Sequence, residues 1–350
     1  MNENFLAKLP PYVSKQIVSI TSTPISWSLK QMQIPDTWKV TQGENITTLV
    51  IDTGMPNHKD VVPNIIKEKC VDFTGEGLID LNSHSTFVCS EICAINNIDG
   101  IVGIAPKSKV ITAKVLTESG SGTLDWILKG LDYALDIKND YQIINMSLGY
   151  PVYSKELEDR IQALYKAGKI LICAAGNEQR GQGQKDTTTY PARFAGQGID
   201  ISVGAYDEQG NIADFSSIGE ELTFAFPGVN ILGCGLKDTY VLMSGTSMAS
   251  PGCVGAAVLC LSKHLKQFTD TGKNDCITFE QLVEHFKKYA IDKGTIGKDI
   301  TYGWGAVDVD DLIVKDEEFV PITLKPPLDN LSFFQKIVNY LKNFFRYDNI

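Results

Sequence analysis

The chain is poor in the residues that announce a metal centre or a nucleic-acid surface. Histidine occurs 4 times in 350 residues. Basic side chains are outnumbered, 32 Lys and Arg against 42 Asp and Glu, for a formal charge of −10. Phosphate backbones are bound by clustered cations, so nucleic acid is set aside as a general partner. The negative surplus suits a chain that stays dispersed. No run reaches the ~18 apolar residues of a membrane span. Met1 to Lys8 carries Glu3 and a short apolar patch where an export signal would have a longer apolar core. The 8 cysteines show no paired Cys/His spacing of the zinc type, although Cys89 and Cys93 share a helical face. Several sit inside apolar patterns, as buried thiols do. With no export signal they are read as reduced, and the expected location is cytoplasmic.

What is present is a globular core composition, 43% apolar, with strand and helix patterns that alternate. Strands are expected over 47–51, 110–116, 141–147, 170–174 and 201–205. Helices are expected over 81–95, 124–137, 155–167 and 279–289. Such alternation predicts an α/β fold, a three-layer sandwich with a mostly parallel central sheet flanked by helices. Ligands bind such sheets at the carboxyl ends of the strands.

One stretch organises the rest. Ser244-Gly245-Thr246-Ser247-Met248-Ala249-Ser250-Pro251 is a glycine-containing turn that runs into an apolar helical pattern. It delivers Ser247 to a helix start, where the serine is either a cap or a nucleophile. A hydroxyl nucleophile needs a base in contact and a third group to orient the base. Leu49-Val50-Ile51-Asp52-Thr53-Gly54 is an apolar strand ending in a carboxylate and a glycine turn. Asn82-Ser83-His84-Ser85-Thr86 puts a histidine at a helix head. His58 follows Asp52 too closely, and His264 and His285 lie in polar, Lys-rich helical stretches. Alone, Asp52 could be a strand-end cap and His84 an ordinary helix-start residue. Together they give the chain order Asp, His, Ser that marks the subtilisin arrangement.

The sequence resembles the subtilisin-like serine proteases (subtilases), closest in character to the bacterial intracellular subtilisins. The Asp, His and Ser motifs carry the likeness, with Ile143-Ile144-Asn145-Met146-Ser147-Leu148-Gly149 and Ala174-Ala175-Gly176-Asn177-Glu178. It spans residues 24–313. The resemblance implies a serine endopeptidase in which Ser247 attacks, His84 moves the proton and Asp52 orients His84. It gives Asn177 and the Ser247 backbone N–H to the oxyanion. Ser147, Leu148 and Gly149 would pair with substrate, beside Ala175 and Gly176. Leu148 could equally be core, and Asn177 a turn residue. Polypeptides are the expected substrates, with a broad, apolar or aromatic lean.

Calcium is the expected cofactor. It takes about six to eight hard oxygens, and the family's calcium loop resembles Asn96-Asn97-Ile98-Asp99-Gly100. That loop offers Asn97 and the carbonyls of Ile95, Asp99 and Ile101, with Asp60 as a further ligand. The rival for the loop is a plain turn.

Residues 1–23 form an N-terminal extension, read as an inhibitory strand lying across the cleft or as a frayed terminus. Residues 314–350 form a linker and an amphipathic helix from about Asn330. That helix would dock on its own domain, form a homodimer or hold a partner. A membrane surface is disfavoured by its modest positive charge.

The match to the family breaks in places. Ser83 and Ser85 replace glycines beside the histidine, Phe87 stands for a second histidine, and Gly252 follows the Ser-Pro pair in place of another. An exchange of volume between Phe87 and Gly252 is one expectation. These departures keep two alternatives open, a weakened peptide-binding adaptor and a maturation protease of narrow specificity.

Overall fold

The computed structural model describes residues 6–9, 13–17, 20, 24–97, 99–178, 186–271 and 277–315, with backbone alone for 13–17 and 266–271. The C-terminal helix expected from Asn330 and most of 314–350 lie outside the described residues, as do Pro10, Pro11 and Tyr12 of the extension.

Fourteen strands are described: β1 Ala7–Lys8, β2 Val13–Ile17, β3 Thr47–Asp52, β4 Val71–Asp72, β5 Lys109–Lys114, β6 Ser121–Gly122, β7 Ile143–Met146, β8 Ile170–Ala174, β9 Ile201–Tyr206, β10 Phe224–Pro227, β11 Ile231–Cys234, β12 Tyr240–Ser244, β13 Ala290–Ile291 and β14 Ala306–Val307. The helices are α1 Trp27–Gln31, α2 Ile34–Thr37, α3 His84–Cys93, α4 Leu124–Asp136, α5 Lys155–Lys166, α6 Thr246–Thr271 and α7 Phe279–Lys288.

Nine strands form one sheet in the order β13-β14-β10-β9-β8-β7-β3-β5-β4. Its pairings are parallel except β13 with β14. Strands buried on both faces read as continuous apolar runs, which is how Leu49-Val50-Ile51 and Ile170-Leu171-Ile172 look. Side chains alternate between faces. Leu49, Ile51, Ile144 and Leu171 join one core cluster with Ile127 and Leu131 of α4 and Leu157 and Ile161 of α5. Asn145, next along β7, turns the other way and accepts a hydrogen bond from Ser250 Oγ of α6 at 2.8 Å. The result is three layers, helices on both faces of a mostly parallel sheet.

Local chemistry sets the helix starts. Thr123 and Ser154 cap α4 and α5 by accepting from the N–H groups of Trp126 and Leu157. Thr278 and Gln281 close a reciprocal capping box on α7. Helix α3 begins at His84, not at Leu81. Ser83 sits at φ +90°, a left-handed conformation that no helix continues through.

Two smaller sheets involve the N-terminal extension. β1 pairs antiparallel with β6, and β2 pairs antiparallel with β12 in the order β11-β12-β2.

Candidate active site

Asp52 ends β3, at the carboxyl edge of the sheet, and is fully buried. Its carboxylate accepts from the Thr53 N–H at 2.7 Å. His84, also fully buried, directs Nδ1 at the same carboxylate, 2.9 Å from Oδ1 and 3.0 Å from Oδ2. With Nδ1–H donating to Asp52, Nε2 is the nitrogen left to accept a proton.

The turn that delivers His84 is built by a residue not singled out from the sequence. Asp80 is buried and accepts five hydrogen bonds, from Thr53 Oγ1, Asn82 N, Ser83 N, Thr86 N and Thr86 Oγ1, at 2.6–3.1 Å. It ties the end of β3 to the start of α3, and a carboxylate at a helix start is favoured by the exposed amides there. The available signal was an Asp shortly before a helix head. Lys114 is a second such residue, which no local pattern marks. Fully buried at the end of β5, it donates to the Thr53 carbonyl at 2.7 Å and faces Glu76 at 3.6 Å.

Ser247 lies in the first turn of α6 and is fully buried. Its hydroxyl donates to the Ser147 carbonyl at 3.2 Å, and Ser147 Oγ donates back to the Ser247 carbonyl at 3.0 Å. Pro251 explains the second bond. It has no N–H to give the carbonyl four residues earlier, and that carbonyl belongs to Ser247. Asn145 Nδ2 donates to Ser147 Oγ at 3.1 Å, so β7 and the residue after it hold the start of α6 through the side chains of Asn145 and Ser147, met by Ser250 from the helix.

Asn177 is buried at 5% exposure. Its Oδ1 accepts from Thr246 N at 2.9 Å and Thr246 Oγ1 at 2.8 Å. The amide is thereby oriented with Nδ2 toward the Gly245 turn. A side chain on Gly245 would begin 3.0 Å from Nδ2, so the turn has room for glycine.

The remaining expected residues divide. Leu148 is core, fully buried. Gly149 exchanges both backbone hydrogen bonds with Lys8, 3.0 and 3.1 Å. Ala175 and Gly176 neighbour Asn177 in the chain, but their backbone groups bond within the protein, to Val203, Thr189, Thr246 and Ser217. Phe87 does not face Gly252. It packs with Ile231, Val241, Met243 and Met248, and a Cβ on Gly233 would lie 2.4 Å from its ring. Its space comes from β11. The gap at Gly252 faces Glu91, whose Oε1 lies 3.4 Å from where a Cβ would be.

Asp60, fully buried, accepts from Asn97 Nδ2 at 2.8 Å, Ile101 N at 3.1 Å and Tyr240 Oη at 2.9 Å. Its carbonyl accepts from Ile95 N at 2.8 Å. The Asp99 carbonyl accepts from Tyr240 Oη at 3.3 Å and Lys59 Nζ at 3.4 Å. A buried carboxylate, an amide and nearby carbonyls are a hard-oxygen set and fit calcium by type. Asn97 would have to turn its amide oxygen toward the ion.

The N-terminal extension pairs with β6 and with Gly149. Besides Lys8 with Gly149, Leu9 N donates to the Gly120 carbonyl at 2.9 Å, and Ala7 is fully buried in the core cluster that includes Leu148, Leu116 and Ile127.

A parallel α/β sheet with a buried Asp–His pair at its carboxyl edge and a serine at an adjoining helix head defines a subtilisin-type serine peptidase. The model of the Subtilase family (Peptidase_S8) matches residues 43–305, and the chain belongs to that family. It is 33% identical over 327 residues to the major intracellular serine protease of Bacillus subtilis (strain 168), covering 91% of this chain and 98% of the relative. It is 33% identical over 295 residues to the intracellular serine protease of Paenibacillus polymyxa, 83% of this chain and 87% of that protein. The minor extracellular protease Epr of Bacillus subtilis is 36% identical over 283 residues, 80% of this chain but 40% of the relative's length. As a family member the chain is a peptidase of polypeptides. No helix among the described residues is long and apolar enough to cross a membrane.

Proposed function

We propose that the protein is a serine endopeptidase held inactive by its own first residues. Ser247 Oγ leaves the Ser147 carbonyl, gives its proton to His84 Nε2 and attacks the scissile carbonyl. Asp52, anchored by Thr53, keeps Nδ1–H in place and stabilises the imidazolium. Asn177 Nδ2 and the Ser247 N–H receive the negative oxygen; Thr246 orients that amide in advance, so little reorganisation is left for the reaction. His84 then protonates the leaving amine, and water, deprotonated by His84, releases the acyl group. The observation that carries this reading is the Asp52–His84 contact, two buried groups brought to 2.9 Å by separate elements, β3 and α3.

The extension supports internal cleavage and autoinhibition. Residues 7–9 lie as a strand between β6 and Gly149, and residues 13–17 continue along β12, whose end leads into Ser247. A polypeptide can therefore enter on one side of the serine and leave on the other. Buried Ala7, and Leu9 against Gly120, support a preference for apolar residues before the cut. Calcium, held by Asp60, Asn97 and the carbonyls of Ile95, Asp99 and Ile101, would supply a structural tie for the loop. The intracellular relatives support a cytoplasmic location.

The test is labelling by a fluorophosphonate. The full chain should label slowly, a chain lacking residues 1–23 should label at least tenfold faster, and Ser247→Ala should neither label nor cleave. Turnover by Ser247→Ala would remove the nucleophile assignment. Equal labelling rates with and without residues 1–23 would remove the inhibitory strand.

A further inference from the structure

His58 and Cys234 have no part in the chemistry above, yet both are fully buried beside Asp60. One ligand atom from each of His58, Asp60 and Cys234 lies within 4.8 Å of the other two. We propose that these three side chains form a site for a zinc-class divalent ion.

The donor set is the first reason. Thiolate sulfur and imidazole nitrogen are taken by borderline and soft ions and shunned by calcium. In a tetrahedral zinc site neighbouring ligand atoms stand about 3.5 Å apart, so closing this cluster takes shifts of less than about an ångström per side chain. The imidazole is the second reason. Its Nδ1 accepts one long bond, from Asp60 N at 3.1 Å, and its buried Nε2 has the Thr239 backbone as its neighbour at a geometry too loose for a formed hydrogen bond. An ion bound at Nδ1 would replace that long bond and leave Nε2–H turned to the Thr239 backbone. The third reason is access. A cavity of about 490 Å³, lined by His58, Lys59, Leu236 and Asp238 among others, opens beside the cluster. It reaches the cluster at His58 alone, which gives an ion an approach from that side.

Binding breaks the Cys234 S–H bond, forms the metal–sulfur bond and passes the proton to solvent. No electron moves. The ion would join the segment that follows Asp52 to β11 of the hairpin that precedes Ser247, a staple between two strands of the peptidase. Asp60 is shared with the calcium set, but the two ions differ in their need for sulfur.

The test uses the full chain carrying Ser247→Ala, which prevents self-cleavage and makes the readout independent of catalysis. Titration of the reduced protein with cobalt(II) should produce a thiolate-to-cobalt charge-transfer band saturating at one equivalent. Zinc should abolish the band by displacement, and calcium should leave it. The band should vanish in Cys234→Ala and persist in Cys93→Ser, a neighbouring buried thiol outside the cluster. Cys234→Ser, closer in size, replaces the alanine variant if that one does not fold. As a measurement free of variants, zinc should slow alkylation of Cys234 at least tenfold, read by peptide mass. No band, a band that survives loss of Cys234, or unchanged alkylation overturns the site.

Discussion

Ser83 shows how a single substitution against a family pattern is absorbed. Its φ of +90° lies where a side chain is strained, and its N–H still bonds Asp80 at 3.1 Å. Such strain is held in place when the surroundings over-determine the conformation, and here the five donors to Asp80 do so. Ser85 took the other glycine position at no such expense, since it lies inside α3 with its N–H on Thr53 Oγ1 at 2.9 Å. Ser83→Gly should therefore raise stability by about 1 kcal/mol, while Ser85→Gly should lower it by a similar amount, as glycine does within helices. Urea unfolding of the two variants measures this. A Ser83→Gly variant less stable than the parent would show that the turn carries no strain.

At the scale of elements, α3 and β11 are fitted to each other through Phe87 and Gly233. A ring that fills the space where a Cβ would stand leaves no allowance for a larger residue. Gly233→Val should cost about 1–3 kcal/mol or more by overpacking, and Phe87→Leu combined with it should recover part of the loss. Thermal unfolding of the single and double variants gives the coupling. Simple additivity would mean that the ring and the strand do not share the space. The sequence pointed to Gly252 as the partner because that position departs from the family pattern in parallel with position 87. A departure shared by two positions does not reveal which backbone lies against which ring.

The whole molecule buries carboxyl groups that catalysis does not use. Burial among apolar neighbours pushes Glu91 well above 4.5, with the gap at Gly252 beside it. In the folded protein the group stays neutral, whereas the unfolded chain ionises it above 4.5. The unfolded state thus binds fewer protons, and this group's contribution to stability falls as pH rises from about 4.5 until the folded-state value is passed. Glu91→Gln should be nearly neutral for stability at pH 4 and stabilising at pH 8, by about 1.4 kcal/mol for each unit by which burial displaces the group. Melting temperatures of both proteins across that range decide it. A difference that does not grow with rising pH would mean that Glu91 is ionised in the fold.

The sequence alone was enough for the alternating strands and helices, the parallel sheet and the candidate Asp52, His84 and Ser247 stretches. Each rests on local pattern: apolar periodicity, a glycine turn, a cap before a helix. Leu148 could not be assigned to core or pocket, because an apolar residue near a strand end reads the same in both. The Asp80 cage, the Ser247 carbonyl released by Pro251 and answered by Ser147, and the meeting of His58 with Cys234 were decided by tertiary structure. Those contacts join residues 100 or more positions apart in two of the three cases. Nothing in a one-dimensional pattern reports a distance closed by packing.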